Sequence, residues 1–472
     1  MDADTRTTIL IDDDVAPERA VPAAMQEILA IDKRMARTTR KLEAEFANVE
    51  TKIHRFPRGL RGIDDGDGGR YIAPSVVAIG PYHHGAARLQ EMEEVKLAAA
   101  YHLCRSSGHS TAKVYERVRS VAGAARGCYD AGDPSVEAVG EADFAAMMFL
   151  DGCFLLQYMV DGDDAAPVLR NRMALSTGPS IQKDIFLLEN QIPWLVLEAL
   201  AEIISVDVLR FVQDMGAKFL SGKAMAKSEN GRRRLPWPWR CTGGRASKPA
   251  DRSRGGEQHY KPAHLLGLLR FTQVGSMPED MVKYKAFPLS LSISAVELAE
   301  IGVVPTPSTE PWLGYMRVRK GLFLFGELSL SPVFLNDVTA CWLVNMAALE
   351  ESTAGANRES DGFVVSSYLS VLAMLMDSDD DVQQLRAKRV LLSTFSNKQA
   401  LRVFKGLAQH LRFGGRYFAT LDEIDSYKRH RAGRIAIHKV LYSSFKAMTI
   451  ATLFSIVGVL VGIFKTLLDN KH

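Results

Sequence analysis

The chain is poor in cysteine: five are scattered at Cys104, Cys128, Cys153, Cys241 and Cys341, with no CxxC pair. That argues against a disulfide framework or a zinc site and reads as reduced thiols in a cytosolic body. No nucleophile elbow, phosphate loop, HExxH or kinase signature occurs, so no reaction class announces itself. The opening MDADTRTTILIDDD is acidic and lacks an apolar core, which reads as no secretory signal. None of the nine asparagines begins an Asn-x-Ser/Thr sequon, in keeping with a cytosolic body. Strong net charge is missing as well. At +3, with 47% hydrophobic and 24% charged residues, the composition is that of an ordinary globular protein.

Long apolar runs are absent but for one. Ala447 to Phe464 carry no charge and are bracketed by Lys446 and Lys465. At about 1.5 Å per residue this window just reaches across a bilayer core. Gly458 and Gly462 suit a membrane helix, whereas Thr449, Thr452 and Ser455 dilute the apolarity. The sequence therefore predicts a transmembrane helix at 446–465 with a short tail, 466–472, so that the protein is single-pass and tail-anchored. A buried C-terminal helix is the alternative. Basic residues gather upstream (Lys428, Arg429, Arg431, Arg434, Lys439, Lys446), which places the N-terminal body in the cytosol. The short span leans toward thin internal membranes.

Residues 1–22, with Asp12–Asp14, Pro17 and Pro22, read as a disordered acidic N-terminus. From 23 to 445 the pattern is that of a mainly helical domain. Apolar residues recur at helical spacing from Ala23 to Val49, and further helices are expected at 89–104, 144–160, 192–204, 264–271, 363–376 and 396–411. The last opens with Ser396 and Gln399 at capping-box spacing. Asp337 is expected to cap a helix containing Trp342 and Leu343. A short strand is expected at Val76–Ile79. Period-two alternation in YMRVR (315–319) and LFLFGELSLS (322–331) predicts a β-hairpin turning at Lys320-Gly321.

Residues 221–261 hold eleven Lys/Arg against Glu229, Asp251 and Glu257, and so carry +8 while the remainder carries −5. They read as a basic flexible insertion. Arg232, Arg233, Arg234, Trp237 and Trp239 are candidates for contact with anionic lipid. Nucleic-acid binding is disfavoured by the acidic remainder.

Two segments stand out chemically. IGPYHHG (79–85) brings Gly80, Pro81, Tyr82, His83, His84 and Gly85 into one turn, and DIFLLENQIPW (184–194) sets Asp184, Glu189, Asn190, Gln191 and Pro193 in an apolar stretch. Asp151 and Gly152 lie inside the apolar run FAAMMFLDGCFLLQYMV (144–160). Adjacent histidines on an extended loop point opposite ways, which suits one metal poorly. A carboxylate pair Asp151/Glu189, with His83 or His84, is the pattern a hydrolase or transferase uses. The reading preferred here is that these polar groups satisfy buried backbone. No catalytic residue, cofactor or metal is assigned.

These segments resemble those of the plant DUF247 (UPF0481) family. The resemblance runs from about Ile53 to the C-terminus. It rests on APSVVAIGPYHHG (73–85) followed by Met92, Glu93 and Lys96, then MMFLDGCFLL (147–156) and DIFLLENQIPW (184–194). Beyond the insertion come HLL (264–266), ELAEIGV (297–303), SPVFLNDVTACWLVNMAALE (331–350) and DDDVQQL (379–385). RYFATLDEIDSYK (416–428) departs from it, lacking the proline-tryptophan pair usual after Tyr-Phe. The resemblance implies a membrane-associated plant protein without known catalytic residues. Some grass relatives are implicated in self-incompatibility, which places plasma membrane ahead of internal membranes. The expected fold is mainly α, a large helical body with a small β-hairpin element and one C-terminal transmembrane helix. The expected function is non-enzymatic recognition or signalling through protein partners.

Overall fold

Several helices open where the sequence supplies a side-chain acceptor for their first free N–H groups. The computed structural model describes residues 23–47, 49–63, 69–160, 178–221, 261–274, 293–310, 312–320, 325–353 and 363–440, together with 442, 444, 455 and 459. The chain divides into two compact units, Met1–Asn48 and Val49–His472. The described residues of the first form one helix, α1 (Ala23–Ala47), on which Ile28, Ile31 and Met35 are exposed.

The second unit is built mainly of helices. Its N-terminal half holds α2 (Glu91–Ser106), α3 (Thr111–Arg126), the single turn α4 (Pro134–Glu137), α5 (Glu141–Met159), α6 (Gly178–Asp184), α7 (Trp194–Ala201) and α8 (Val208–Ser221). Ser110 caps α3 by accepting from Lys113 N, and Asp133 caps α4 ahead of Pro134. From Phe144 onward α5 is buried nearly all round, as its uninterrupted apolar composition demands. Gly152 lies on it where a Cβ would come within 2.6 Å of the Leu200 side chain, so α7 packs close because that residue has none.

The C-terminal half holds α9 (Leu265–Val274), α10 (Ala295–Glu300), α11 (Asp337–Thr353), α12 (Val364–Leu375), α13 (Asp379–Ala387), α14 (Asn397–Ala408) and α15 (Gly415–His430). Capping boxes open α10 (Ser294/Glu297), α13 (Ser378/Asp381) and α14 (Ser396/Gln399). Asn336, and not Asp337, caps α11: its Oδ1 accepts from Thr339 N at 2.8 Å, while Asp337 pairs with Arg70. One position earlier puts the carboxamide at the reach a cap requires.

Strands β1 (Val303–Pro307), β2 (Met316–Lys320) and β3 (Gly326–Leu330) form a sheet of order β1-β3-β2. The expected hairpin strands pair antiparallel, Val318 opposite Leu328, with Leu328 and Leu330 buried; Lys320, expected in the turn, instead ends β2 opposite Gly326, and 321–324 lie outside the described residues. β1 adds parallel to β3, Pro305 opposite Leu328. A second sheet pairs β4 (Val333–Leu335) with β5 (Leu391–Ser393) in parallel. One apolar cluster runs through the unit, and Trp342 on α11 packs edge-on against Phe186 and Phe219 while its Nε1 donates to Gln182 O.

Among the described residues no helix is long and apolar enough to cross a membrane. That overturns the expected transmembrane helix at 446–465. The single-pass tail anchor, the membrane as a partner through that helix and the plasma-membrane placement lose the feature they rested on. The last continuous helical stretch described, 432–440, carries Arg434, His438 and Lys439 and has no apolar face of spanning length. Of 446–465 only Ser455 and Val459 are described; the rest of it lies outside, as do 1–22, 222–260 with Arg232, Arg233, Arg234, Trp237 and Trp239, and 466–472.

Candidate functional site

An extended stretch without a strand partner must find its hydrogen bonds elsewhere, because unpaired buried N–H groups are costly. Val76–Ile79, expected as a strand, is such a stretch. Side chains from the second motif take the place of a neighbouring strand. Asp184 accepts from Ser75 N (2.9 Å), Val76 N (2.6 Å) and Val77 N (3.1 Å). Burial pushes its carboxyl above the ordinary carboxylate range, and these N–H groups oppose the shift. Asn190 Oδ1 accepts from Ile79 N at 2.7 Å, and its Nδ2 donates to Val77 O and Asp184 O. Gln191 Nε2 donates to Ile185 O and Leu187 O, and its Oε1 accepts from Leu266 N at the start of α9. Asp184, Asn190 and Gln191 are all buried.

The stretch ends at Gly80, whose φ of +76° favours glycine and whose missing Cβ would sit 2.4 Å from Gln191 O. Gly80 N donates to Asp151 Oδ2 at 2.7 Å. The other Asp151 oxygen meets Lys96 Nζ at 2.6 Å, and both side chains are about 1% exposed. Lys96 also donates to Glu93 at 2.8 Å. Burial disfavours the ammonium, but Asp151 and Glu93 more than reverse this and hold Lys96 above its ordinary pKa. Lys96 and Asp151 thus clamp α2 to α5 and to the turn at Gly80.

Glu189 serves another junction. Its Oε1 accepts from Phe56 N at 2.7 Å, and its Oε2 from Arg55 Nη1 at 2.9 Å. Arg55 reaches on to Asp133 through Nε and Nη2, each at 2.9 Å, and its guanidinium lies 3.8 Å over the Tyr82 ring. Burial works against the Arg55 charge, but the hydrogen bonds to Asp133 and Glu189 hold its pKa above the usual value, while Arg55 holds Asp133 below the usual carboxylate range. His83 Nε2 stands 3.8 Å from Glu189, and burial pulls the imidazole down to about 4, so it is neutral near pH 7. Pro81 opens the turn that holds Tyr82 and His83, and the Tyr82 hydroxyl donates to Ile53 O. His84 and Gly85 are exposed. Pro193 is buried immediately ahead of α7.

The expected groups therefore fall into separate assemblies. Asp151 is bound to Lys96 and Gly80, Glu189 to Arg55 and Phe56, and the two share no partner. Of His83 and His84, only His83 approaches a carboxylate among the described residues. Among the described residues no group of three or more His, Cys, Asp or Glu could hold a metal ion. Sequence reasoning missed Arg55, Asp133, Asn345 and Glu350. Asn345 accepts from Leu188 N and donates to Tyr71 O. Glu350 is buried, pairs with Arg270 at 2.7 Å, and accepts from Val365 N and Ser366 N at the start of α12. A signal was present for these last two: each is a polar residue inside the apolar run WLVNMAALE (342–350), the pattern that singled out Asp151.

The chain matches the DUF247 family, described as a plant protein of unknown function, over residues 53–461. It is similar to a UPF0481 protein of Arabidopsis thaliana, with 23% identity over 401 residues, covering 76% of this chain and 73% of that protein. No solved structure matches it significantly.

Proposed function

The chain belongs to the DUF247 family of plant proteins, and from that premise we propose that it acts by binding partner proteins, with no chemical step. One observation carries the reading. The buried carboxylates and amides singled out in the sequence are engaged in holding the scaffold: Asp184 and Asn190 bond the 75–79 backbone, Gln191 bonds α9, and Asp151 and Glu189 are each locked in an ion pair. A carboxylate whose oxygens already receive strong donors has little capacity left to take a substrate proton. Recognition of a partner is the coarse form of the self-recognition in which some grass relatives are implicated.

A second reading, a hydrolase or transferase, is favoured by one contact: neutral His83 beside Glu189 at 3.8 Å, with its Nε2 lacking a hydrogen-bond partner among the described residues. One experiment separates the two. The purified chain, Glu189→Gln and His83→Gln are assayed on chromogenic esters, phosphoesters and glycosides, with circular dichroism to check folding. Gln keeps an acceptor for Phe56 N, so the fold should survive. Binding without chemistry predicts no turnover above buffer for any of the three. A wild-type turnover that falls a hundredfold or more in folded Glu189→Gln would sink the proposal.

A further inference from the structure

The exposed residues of α1 sort by chemistry around its axis. Every α1 side chain described, 28, 30–40 and 43, is exposed. Ile28, Ile31 and Met35 are 53%, 57% and 60% exposed, so the helix shows water an apolar patch where a packed helix would hide one. At about 100° per residue these three lie within about 60° of one another and form a single stripe. Lys33, Arg37 and Arg40 fall on the opposite side, Arg34 on a flank, and Asp32 beside the stripe. Four cations against one anion give residues 28–40 a net charge of +3.

We propose that α1 is a docking helix for an acidic calcium sensor, whose methionine-lined groove takes the apolar stripe while its carboxylates meet Lys33 and the arginines. The inference rests on the partner-binding reading above and names the chemistry of the partner. A basic amphipathic helix with apolar anchors seven residues apart, here Ile28 and Met35, is the form such grooves accept. Methionine side chains adapt to anchors of mixed shape, as two isoleucines and a methionine are. The groove opens when the sensor binds calcium, which makes the contact calcium-dependent.

The placement of the charges decides what covers the stripe. A second copy of α1 pairing along it would bury the apolar side alone, and the basic side of each copy would find no counter-charge. An anionic membrane also meets a helix from one side. It would seat the stripe among the acyl chains, leave Lys33, Arg37 and Arg40 pointing away from the headgroups, and press Asp32 against them. A sensor that closes around the helix uses both sides at once: apolar burial holds the stripe, and charge complementarity selects the basic face. No described α1 side chain has to be uncovered first.

The test titrates the full chain into fluorophore-labelled calmodulin and reads anisotropy, first with calcium and then with EGTA. Binding is expected with calcium and is expected to disappear when EGTA removes it. Ile28→Glu combined with Met35→Glu should weaken it about a hundredfold or more, since both anchors become charged. Lys33→Gln combined with Arg37→Gln and Arg40→Gln should weaken it about tenfold at low salt and less at high salt. Glutamate and glutamine are good helix formers, so α1 should persist in these variants, which far-UV circular dichroism checks. The inference is overturned by an absence of binding, by binding that persists in EGTA, or by binding that survives the loss of both anchors. Light scattering and flotation with phosphatidylserine vesicles read the other covers. A dimer, or capture on vesicles, that the anchor variant abolishes would give the stripe to a second copy or to a membrane and overturn the inference as well. Failure of calmodulin to bind sinks this partner alone, whereas only turnover in the assay above sinks the partner-binding reading.

Discussion

At Asp184 a single carboxylate does the work of a strand neighbour, holding three consecutive N–H groups of the 75–77 backbone. Asp184→Asn keeps one acceptor but turns an amide N–H₂ toward those donors, leaving at least one buried N–H unpaired. The expected loss is about 1–3 kcal/mol, read as a lower urea midpoint at an unchanged m-value. An unchanged midpoint would mean the stretch finds other acceptors. The Lys96–Asp151 pair makes a sharper case, because both groups are almost fully buried. Lys96→Met strands a buried carboxylate and should cost about 3–5 kcal/mol. Adding Asp151→Leu removes that orphan charge, so the double variant should be more stable than Lys96→Met alone. Recovery stays partial, since Gly80 N loses its acceptor. A double variant no better than the single one would show that the charges are not coupled. The acceptors were legible in the sequence as polar residues in apolar runs. Their partners were not: Arg55 meets Asp133 across 78 positions and Glu189 across 134, and no local pattern carries such a distance.

Capping chemistry was readable at the scale of the element because it is local. Ser396 and Gln399 form the box their spacing announces, and Ser396→Ala should destabilise by about 1 kcal/mol in thermal unfolding. The misses at this scale are instructive. Asp337 and Asn336 are adjacent candidates for one cap, and only the backbone direction decides between them. The apolar run 76–79 looked like a strand, yet its partners are side chains. β1, with Pro305 and Pro307, carries no strand signature and is recruited by the exposed edge of β3. α9 is capped in a way that makes its stability depend on pH. His264 Nδ1 accepts from Gly267 N at 3.2 Å and is fully buried. Burial lowers its pKa to about 3, below the 6.5 expected unfolded. The unfolded chain therefore binds the proton first. This contribution is complete above about pH 6.5 and is lost as pH falls toward 3, at up to about 1.4 kcal/mol per pH unit. His264→Asn can keep the cap without the titration, so its melting temperature should fall less steeply than that of wild type between pH 6.5 and 4. Parallel slopes would remove His264 from the acid response.

Across the whole molecule, the buried apolar residues of the second unit interlock its two halves. Trp342 from the C-terminal half packs against Phe186 and Phe219 and bonds Gln182 O, and Asn345 bonds both Leu188 N and Tyr71 O. A helical body was legible from periodicity, whereas this interlocking is not, since it joins residues far apart in sequence. The C-terminal apolar window misled for a related reason. Length and lack of charge are necessary for a spanning helix but do not supply one, and no described helix meets the requirement. The core residues named for the second unit run from Ile53 to Tyr427, and the first unit ends at Asn48. Two outcomes follow for unfolding. Far-UV circular dichroism and tryptophan fluorescence should report one coincident transition for the body, because neither half can open without exposing the Trp342 contacts. Removing residues 1–48 should leave that transition within experimental error, since the core that melts starts beyond the cut. A second transition in the intact chain would show that the halves are separable. A midpoint lowered by the deletion would show that α1 contributes to the body's stability in solution.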